Sequence, residues 1–328
     1  MAKPATSSRS KIEILSKVDQ ANTDRATDSR PRSRFEPVSG RGLRLRERDA
    51  LLLTDLYLHD VMTRHQLQAL YFGSVPRCNA RLRQLFDGGF VTRRFLPAAP
   101  FGSEAVYALG PAGVPVVAAA LTADGQEADV AAIRQRCRQG LSPALLEHTL
   151  AIAEFCVAVR QAVIGTEIEV ERWLPELLCR HEYDIRRLSP GSGHPGLSNQ
   201  ASRNSGSWRR EVFKPDGFVR LRHVESGQYR NYFLEIDRGH VSSEKFMGKL
   251  RSHRQYLESG LFAEVYGEGT FHTLVVTTSQ QRAENLLALA GDIEEELFWL
   301  TTFEAISSSG VLTHIWHVPG QTDREALI

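Results

Sequence analysis

The stretch from Thr63 to Phe95, TRHQLQALYFGSVPRCNARLRQLFDGGFVTRRF, contains the signals that decide the fold of the first part of the chain. Thr63 suits the N-cap of a short helix, and Pro76 suits the first turn of the next one. Two glycines, Gly88 and Gly89, mark the end of that second helix. The segments FVTRRFLP and EAVYALG, which flank a loop, are typical of two strands. The stretch, together with EAVYALG at 104–110, therefore predicts two helices followed by a β-hairpin.

A third helix is predicted upstream, because RLRERDALLLTDLYLH at 44–59 repeats its leucines at helical spacing. Three helices and a hairpin predict a winged helix-turn-helix domain over 43–121, and the expected partner is double-stranded DNA. In such readers the second helix of the pair, here 76–87, enters the major groove. Arginine pairs with guanine and asparagine with adenine, while arginines also bind phosphates. The predicted DNA-binding residues are Arg77, Asn79, Arg81, Arg83, Arg93 and Arg94.

Strand alternation places Arg93 and Arg94 on opposite faces, so only one of the two is expected to meet DNA directly. The alternative is a winged helix that contacts protein instead of DNA. The arginine-rich third helix argues against that alternative.

The distribution of charge favours a nucleic-acid contact near the N-terminal side. The net charge is only +1, but residues 1–42 carry nine Lys or Arg against five Asp or Glu. Residues 44–110 carry nine against six, so the remainder of the chain is acidic. Ordinary variation of surface charge would explain the same asymmetry.

The rest of the chain divides by composition. Residues 1–42 are rich in Ser, Thr, Arg and Pro and are predicted to form a disordered basic tail. Residues 122–142 are expected to be a polar, partly helical connector. A mixed α/β domain is predicted over 143–328, with a long helix at 143–164, a strand running through 211–221, a further helix possible at 291–300 and a disordered loop at about 186–210. The predicted fold class is therefore α+β.

Carboxylates on two predicted neighbouring strands carry the chemistry of this second domain. Asp216 begins one strand in KPDG, and FLEID places Glu235 and Asp237 on one face of the next. Such carboxylates suit Mg²⁺, which would activate water and stabilise charge at a phosphate. The structural alternative is that Asp237 forms a surface ion pair with Arg238.

This layout resembles the PD-(D/E)XK nuclease superfamily, which has the restriction-endonuclease-like fold. There an Asp and a Glu bind metal, and a Lys two residues after the Glu assists catalysis. Pro215, Asp216 and Glu235 match the motif, but Asp237 stands at the lysine position. Some members carry the lysine on the following helix, where this chain has Lys245 and Lys249. The resemblance also implies that an acidic residue of the long helix, Glu154, completes the metal site.

A second resemblance joins both domains. Five short segments are similar to motifs of the replication-relaxation family. They are Leu146-Glu147-His148, Trp173 to Glu176, Pro215-Asp216-Gly217, Glu235 to Gly239 and Lys249-Leu250 to Tyr256. Members of that family are found on bacterial plasmids and integrated mobile elements. The resemblance implies DNA binding in replication, relaxation or mobilisation, and it covers roughly residues 45–300.

Two functions remain open at this point. In the first, the chain is an Mg²⁺- or Mn²⁺-dependent DNA endonuclease or nickase. Its predicted metal ligands are Asp216, Glu235 and Glu154. Its predicted catalytic residues also include Asp237, Lys249 and Lys245. Its expected partners include other replication or mobilisation proteins. In the second, the nuclease-like domain is inactive, and the chain is a transcriptional regulator or a replication scaffold. With no apolar leader and no run long enough to span a bilayer, the expected location is the cytoplasm.

Overall fold

A computed structural model describes residues 43–95, 105–140, 142–186, 208–267, 269–291 and 296–328. The predicted tail at 1–42 and most of the predicted loop at 186–210 lie outside the described residues. The chain divides into an N-terminal unit that ends at Gln161 and a C-terminal unit that begins at Ala162.

The first elements of the N-terminal unit follow from local sequence signals. Helix α1 spans Glu47–Leu58, strand β1 Met62–Thr63, helix α2 Arg64–Tyr71 and helix α3 Val75–Asp87. Thr63 caps α2 as predicted: the Gln66 amide donates to its hydroxyl at 3.2 Å, and the Gln66 side chain accepts from the Thr63 amide at 2.9 Å. Helix α3 has Pro76 in its first turn and ends before Gly88, and Gly89 then takes a positive φ of 72°.

A small antiparallel sheet completes this part of the unit. Strands β2 (Val91–Phe95) and β3 (Ala105–Leu109) form a hairpin, and β1 pairs with the other edge of β3. A 3₁₀ turn at Pro111–Gly113 leads into helix α4, Val114–Ala123.

Two further helices belong to the same unit, and this differs from the predicted boundary after residue 142. Helices α5 (Val130–Gln139) and α6 (Pro143–Ala162) both contribute to its apolar core. Ile133 of α5 is buried, as are Ala153 and Val157 of α6. The predicted connector is therefore partly a packed helix, because Ile133 reaches the core.

The C-terminal unit is built on a seven-stranded mixed sheet. Its strands are β4 (Ile168–Pro175), β7 (Gly217–His223), β8 (Tyr229–Asp237), β9 (His272–Thr277), β10 (Phe298–Thr302), β11 (Trp316–His317) and β12 (Arg324–Glu325). Their spatial order is β12-β11-β10-β9-β8-β7-β4. The three central strands β8, β9 and β10 are parallel, and the remaining neighbours are antiparallel.

Helices connect the parallel strands, as a parallel sheet requires. Their bounds are α8 Ser243–Glu258 and α9 Leu261–Tyr266 between β8 and β9, and α10 Gln280–Gly291 between β9 and β10. Helix α7 (Glu176–Cys179) and a separate two-stranded ribbon of β5 (His181–Arg186) and β6 (Trp208–Phe213) precede β7, and α11 spans Phe303–Ser309.

Two predicted elements are corrected here. The single strand at 211–221 is two strands in two different sheets, separated at Lys214–Asp216, where Pro215 has no amide to donate to a ladder. Part of the possible helix at 291–300 is strand β10, whose five residues are all buried. A short, wholly apolar run does not distinguish a buried strand from a helix by periodicity. Among the described residues, no helix combines the length and the apolar character needed to cross a membrane.

Candidate functional site

Asp216 and Glu235 are brought together by the pairing of β7 with β8. The Asp216 amide donates to the Leu234 carbonyl at 2.9 Å, and its carboxylate Oδ2 accepts from the Ile236 amide at 2.7 Å. Both acidic side chains are almost wholly buried. Backbone hydrogen bonds therefore fix the Asp216 carboxylate beside the strand that carries Glu235.

Lys249 of helix α8 supplies a cation between these carboxylates. Its ammonium forms an ion pair with Glu235 Oε2 and lies 3.8 Å from Asp216 Oδ1. Burial would lower the pKa of Lys249, but the charges of Glu235 and Asp216 outweigh burial and raise it. Lys249 is therefore positively charged at neutral pH, and the predicted grouping of these three residues matches their placement.

His253, one helical turn beyond Lys249, holds the other oxygen of Glu235. Its Nε2 lies 2.8 Å from Glu235 Oε1, and its Nδ1 lies 2.9 Å from the Thr273 hydroxyl. An ionised carboxylate only accepts hydrogen bonds, so Nε2 donates to Glu235. His253 is not among the predicted site residues. Its spacing of four from Lys249 was the available signal.

Asp237 has a different set of partners from Glu235, although strand alternation gives the two residues the same face. Arg282 binds it through two hydrogen bonds of 2.8 and 3.1 Å, and the Thr277 hydroxyl donates to it at 3.1 Å. Arg282 also donates to the Val241 carbonyl at 2.8 Å. The Asp237 carboxylate is therefore held in an ion pair with Arg282, and its assisting role stays a prediction.

Two other predicted site residues have different surroundings. Lys245 is exposed, one turn before Lys249 on the same helix. Glu154 belongs to the N-terminal unit, where its Oε2 accepts from the Gln66 side chain at 2.9 Å. The long helix that carries Glu154 packs in the core of the N-terminal unit.

The acidic pair fits a hard divalent cation with few protein ligands. Asp216 Oδ1 and Glu235 Oε2 both face the Lys249 ammonium, so two carboxylate oxygens already converge on one positive charge. Among the described residues, no group of three or more His, Cys, Asp or Glu is arranged to hold a metal. Mg²⁺ is commonly bound by one or two carboxylates with waters and substrate phosphates, whereas zinc takes three or four protein ligands.

In the N-terminal unit, helix α3 sorts the predicted DNA-binding residues into exposed and structural ones. Arg77 and Asn79 are exposed. Arg81 is only 7% exposed; its guanidinium pairs with Asp49 and donates to the Arg44 carbonyl at 2.9 Å. The prediction that Arg81 contacts DNA is corrected, because this side chain is committed to holding α1 against α3.

The remaining arginines divide in a similar way. Arg83 pairs with Asp87 one turn later, at 2.9 Å. Arg93 lies over the Phe86 ring at 4.5 Å, whereas Arg94 is exposed. The two strand arginines therefore differ in exposure, as the alternation predicts.

Comparison with family models adds one finding to this geometry. The model described as replication-relaxation matches residues 53–271, well over half of the chain. The chain belongs to the replication-relaxation family. The part of the chain that matches this replication-relaxation model includes α3 and the four residues Asp216, Glu235, Lys249 and His253. In comparisons with curated proteins and with solved structures, no protein matches this chain.

Proposed function

We propose that this chain is a DNA-binding protein of a plasmid or mobile element that acts in replication, relaxation or mobilisation. Its N-terminal unit binds duplex DNA, and its C-terminal unit carries a divergent, metal-dependent nuclease centre. Membership of the replication-relaxation family supports the setting. Other replication or mobilisation proteins are the expected partners.

The N-terminal unit is proposed to act as a winged helix. Its three helices and hairpin supply the parts of such a module, and α3 is the second helix of the helix-turn-helix pair. Exposed Arg77 and Asn79 are suited to base edges in the major groove. Exposed Arg94 on the hairpin is suited to a phosphate.

The observation that carries the nuclease proposal is the convergence of Asp216, Glu235 and Lys249, which come from the residue before β7, from β8 and from helix α8. In a restriction-endonuclease-like core these are the two metal-binding carboxylates and the lysine, here moved to the helix. Asp216 and Glu235 would hold Mg²⁺ or Mn²⁺, which supplies activation of a water and stabilisation of charge at the phosphate.

The chain's own residues have distinct parts in this proposal. Lys249 stays protonated and stabilises the charge that develops on the phosphate oxygens. His253 keeps one oxygen of Glu235 occupied, so the other oxygen faces Asp216 and Lys249. Exposed Arg77 and Asn79, on the other unit, hold the protein on DNA and take no part in the chemistry.

Nicking of supercoiled plasmid tests the nuclease proposal. The whole chain with Mg²⁺ or Mn²⁺ should convert supercoiled plasmid to the nicked form, and Asp216→Ala should slow the conversion by about 100-fold or more. Lys249→Ala should have a similar effect. Lys245→Ala, one turn away on the same helix, is the matched control and should leave nicking unchanged. Equal nicking by wild type and Asp216→Ala would contradict the proposal.

A second function, a non-catalytic regulator or replication scaffold, is favoured by one observation. Asp237 occupies the motif's lysine position and is bound by Arg282, and Lys249 already neutralises the carboxylate pair without a metal. This reading predicts duplex binding by the wild type with no nicking at any metal concentration. The same plasmid assay therefore separates the two functions.

A further inference from the structure

Helix α5 presents arginines that the proposed winged helix does not account for. Its sequence, VAAIRQRCRQ, contains Arg134, Arg136 and Arg138 and no acidic residue. The helix is held firmly in the N-terminal unit: Ile133 is buried in the core, and the Cys137 thiol lies 3.2 Å from the Leu109 carbonyl at the end of β3. The arginines therefore project from a fixed element.

Only one of these arginines has a local partner. Arg136 binds Asp60 through two hydrogen bonds of 2.6 and 2.8 Å. Arg134 and Arg138 are exposed and have no ion pair or side-chain hydrogen bond among the described residues. The acidic residues of the preceding loop, Glu127 and Asp129, lie at the other end of the helix, and Asp129 caps its first turn. Two positive charges are thus left without compensation at the basic end.

The basic end of α5 lies next to the hairpin. The Arg94 guanidinium comes within 3.9 Å of the position that a Cβ on Gly140 would take, directly after α5. Arg134 and Arg138 are one helical turn apart, about 6 Å along the axis. At that spacing the two guanidinium groups can reach separate phosphates, because a DNA strand carries one charge about every 3.4 Å of helix axis.

We infer that Arg134 and Arg138, together with Arg94, form a second phosphate-binding surface that binds the backbone of duplex DNA next to the hairpin. The inference rests on the proposed function, since it extends the DNA contact of the same unit. Its occupant is the phosphate backbone, because exposed guanidinium groups match phosphate in charge and form charge-assisted hydrogen bonds with its oxygens. The contact adds affinity without adding sequence specificity.

The salt dependence of binding tests this inference on the full chain. A labelled duplex of mixed sequence is titrated between about 50 and about 200 mM salt, and log Kd is plotted against log salt concentration. Loss of two phosphate contacts in Arg134→Ala/Arg138→Ala should reduce the slope by about 1.8. The control, Arg180→Ala/Arg254→Ala, removes the same charge from exposed ion pairs of the C-terminal unit and should keep the wild-type slope.

Each outcome of this titration either supports or contradicts the second phosphate-binding surface. An unchanged slope in Arg134→Ala/Arg138→Ala, or an equal reduction in the control, overturns the second surface. If Arg77→Ala/Asn79→Ala weakens binding while the α5 variant does not, only this inference fails. If the wild type does not bind duplex DNA at all, the proposed function fails with it. An arginine pair that merely stabilised the helix would change the melting temperature and leave the slope unaltered.

Discussion

The two arginines at positions 81 and 83 show how much a residue's role depends on its tertiary partner. Both lie on the same arginine-rich helix, and the sequence predicts the same DNA-binding role for each. Arg81 pairs with a fully buried Asp49, which lies 32 residues earlier in the chain. No local pattern contains that partner, so the sequence could not separate a structural arginine from a DNA-binding one.

Replacing Arg81 should therefore destabilise the N-terminal unit. Arg81→Ala leaves the Asp49 carboxylate buried without its cation and should lower the free energy of unfolding by about 3 kcal/mol. Arg83→Ala, which breaks a partly exposed i,i+4 pair, should cost about 0.5 kcal/mol or less. All four tryptophans lie at position 173 or later, so urea unfolding followed by far-UV circular dichroism should shift while tryptophan fluorescence changes little. Equal costs for the two variants would contradict this account of Arg81.

His253 is predicted to be a positioning residue for Glu235. His253→Ala frees one carboxylate oxygen and should raise the Mg²⁺ concentration for half-maximal nicking by about 10- to 100-fold. His253→Gln retains a side-chain donor and should restore part of the loss. A purely structural histidine would alter stability but not the Mg²⁺ requirement, so an unchanged requirement in His253→Ala would count against the positioning role.

At the scale of elements, helix α3 was predictable because its signals are local. Pro76 in the first turn, Gly88 and Gly89 at the end, and buried Leu82 and Leu85 all lie within one segment. Helix α5 was predicted only as part of a polar, partly helical connector, because its sole buried residue is Ile133. Strand β10 was not predicted, because all five of its residues are buried and the strand therefore lacks an alternation of apolar and polar residues. Local capping is visible in a sequence, whereas burial by distant elements is not.

The exposed face of α3 makes the most direct prediction for DNA binding. Arg77→Ala/Asn79→Ala should weaken duplex binding at least about tenfold, because each residue can form a paired contact with a base edge. Arg83→Ala on the same helix should have a smaller effect, since that guanidinium is held by Asp87. Fluorescence anisotropy at moderate salt measures all three proteins. Wild-type affinity in the double variant would exclude α3 as the reading helix.

At the scale of the whole molecule, the long helix α6 belongs with the N-terminal unit. Arg160 of α6 is hydrogen-bonded to Asp55 of α1 and, at 3.4 Å, to the Tyr71 hydroxyl. The sequence assigned this helix to the second domain because its apolar periodicity does not reveal which core it enters. Asp216, Glu235 and Lys249 come together through neighbouring strands and the next helix, which local patterns indicate. Glu154 binds Gln66 within the N-terminal unit, and the apolar pattern of its helix did not indicate that unit.

Truncation tests that division. A fragment that ends after residue 161 should retain cooperative thermal unfolding. A fragment that ends after residue 142 loses α6 and the buried Ala153 and Val157, so it should melt at a lower temperature or without a cooperative transition. Both fragments start at residue 43, and circular dichroism compares their transitions. Indistinguishable melting of the two fragments would show that α6 is not part of the N-terminal fold.

The central claim is that Asp216 and Glu235 form one cation-binding pair, which Lys249 fills in this structure. Calorimetric titration of the full chain with Mn²⁺ tests it most directly. Lys249→Met removes the competing ammonium and should bind one Mn²⁺ at least about tenfold more tightly than wild type, a difference of about 1.4 kcal/mol. Lys245→Met should match wild type, and adding Asp216→Asn to Lys249→Met should abolish the gain. Equal Mn²⁺ affinity in Lys249→Met and in the double variant would contradict the claim.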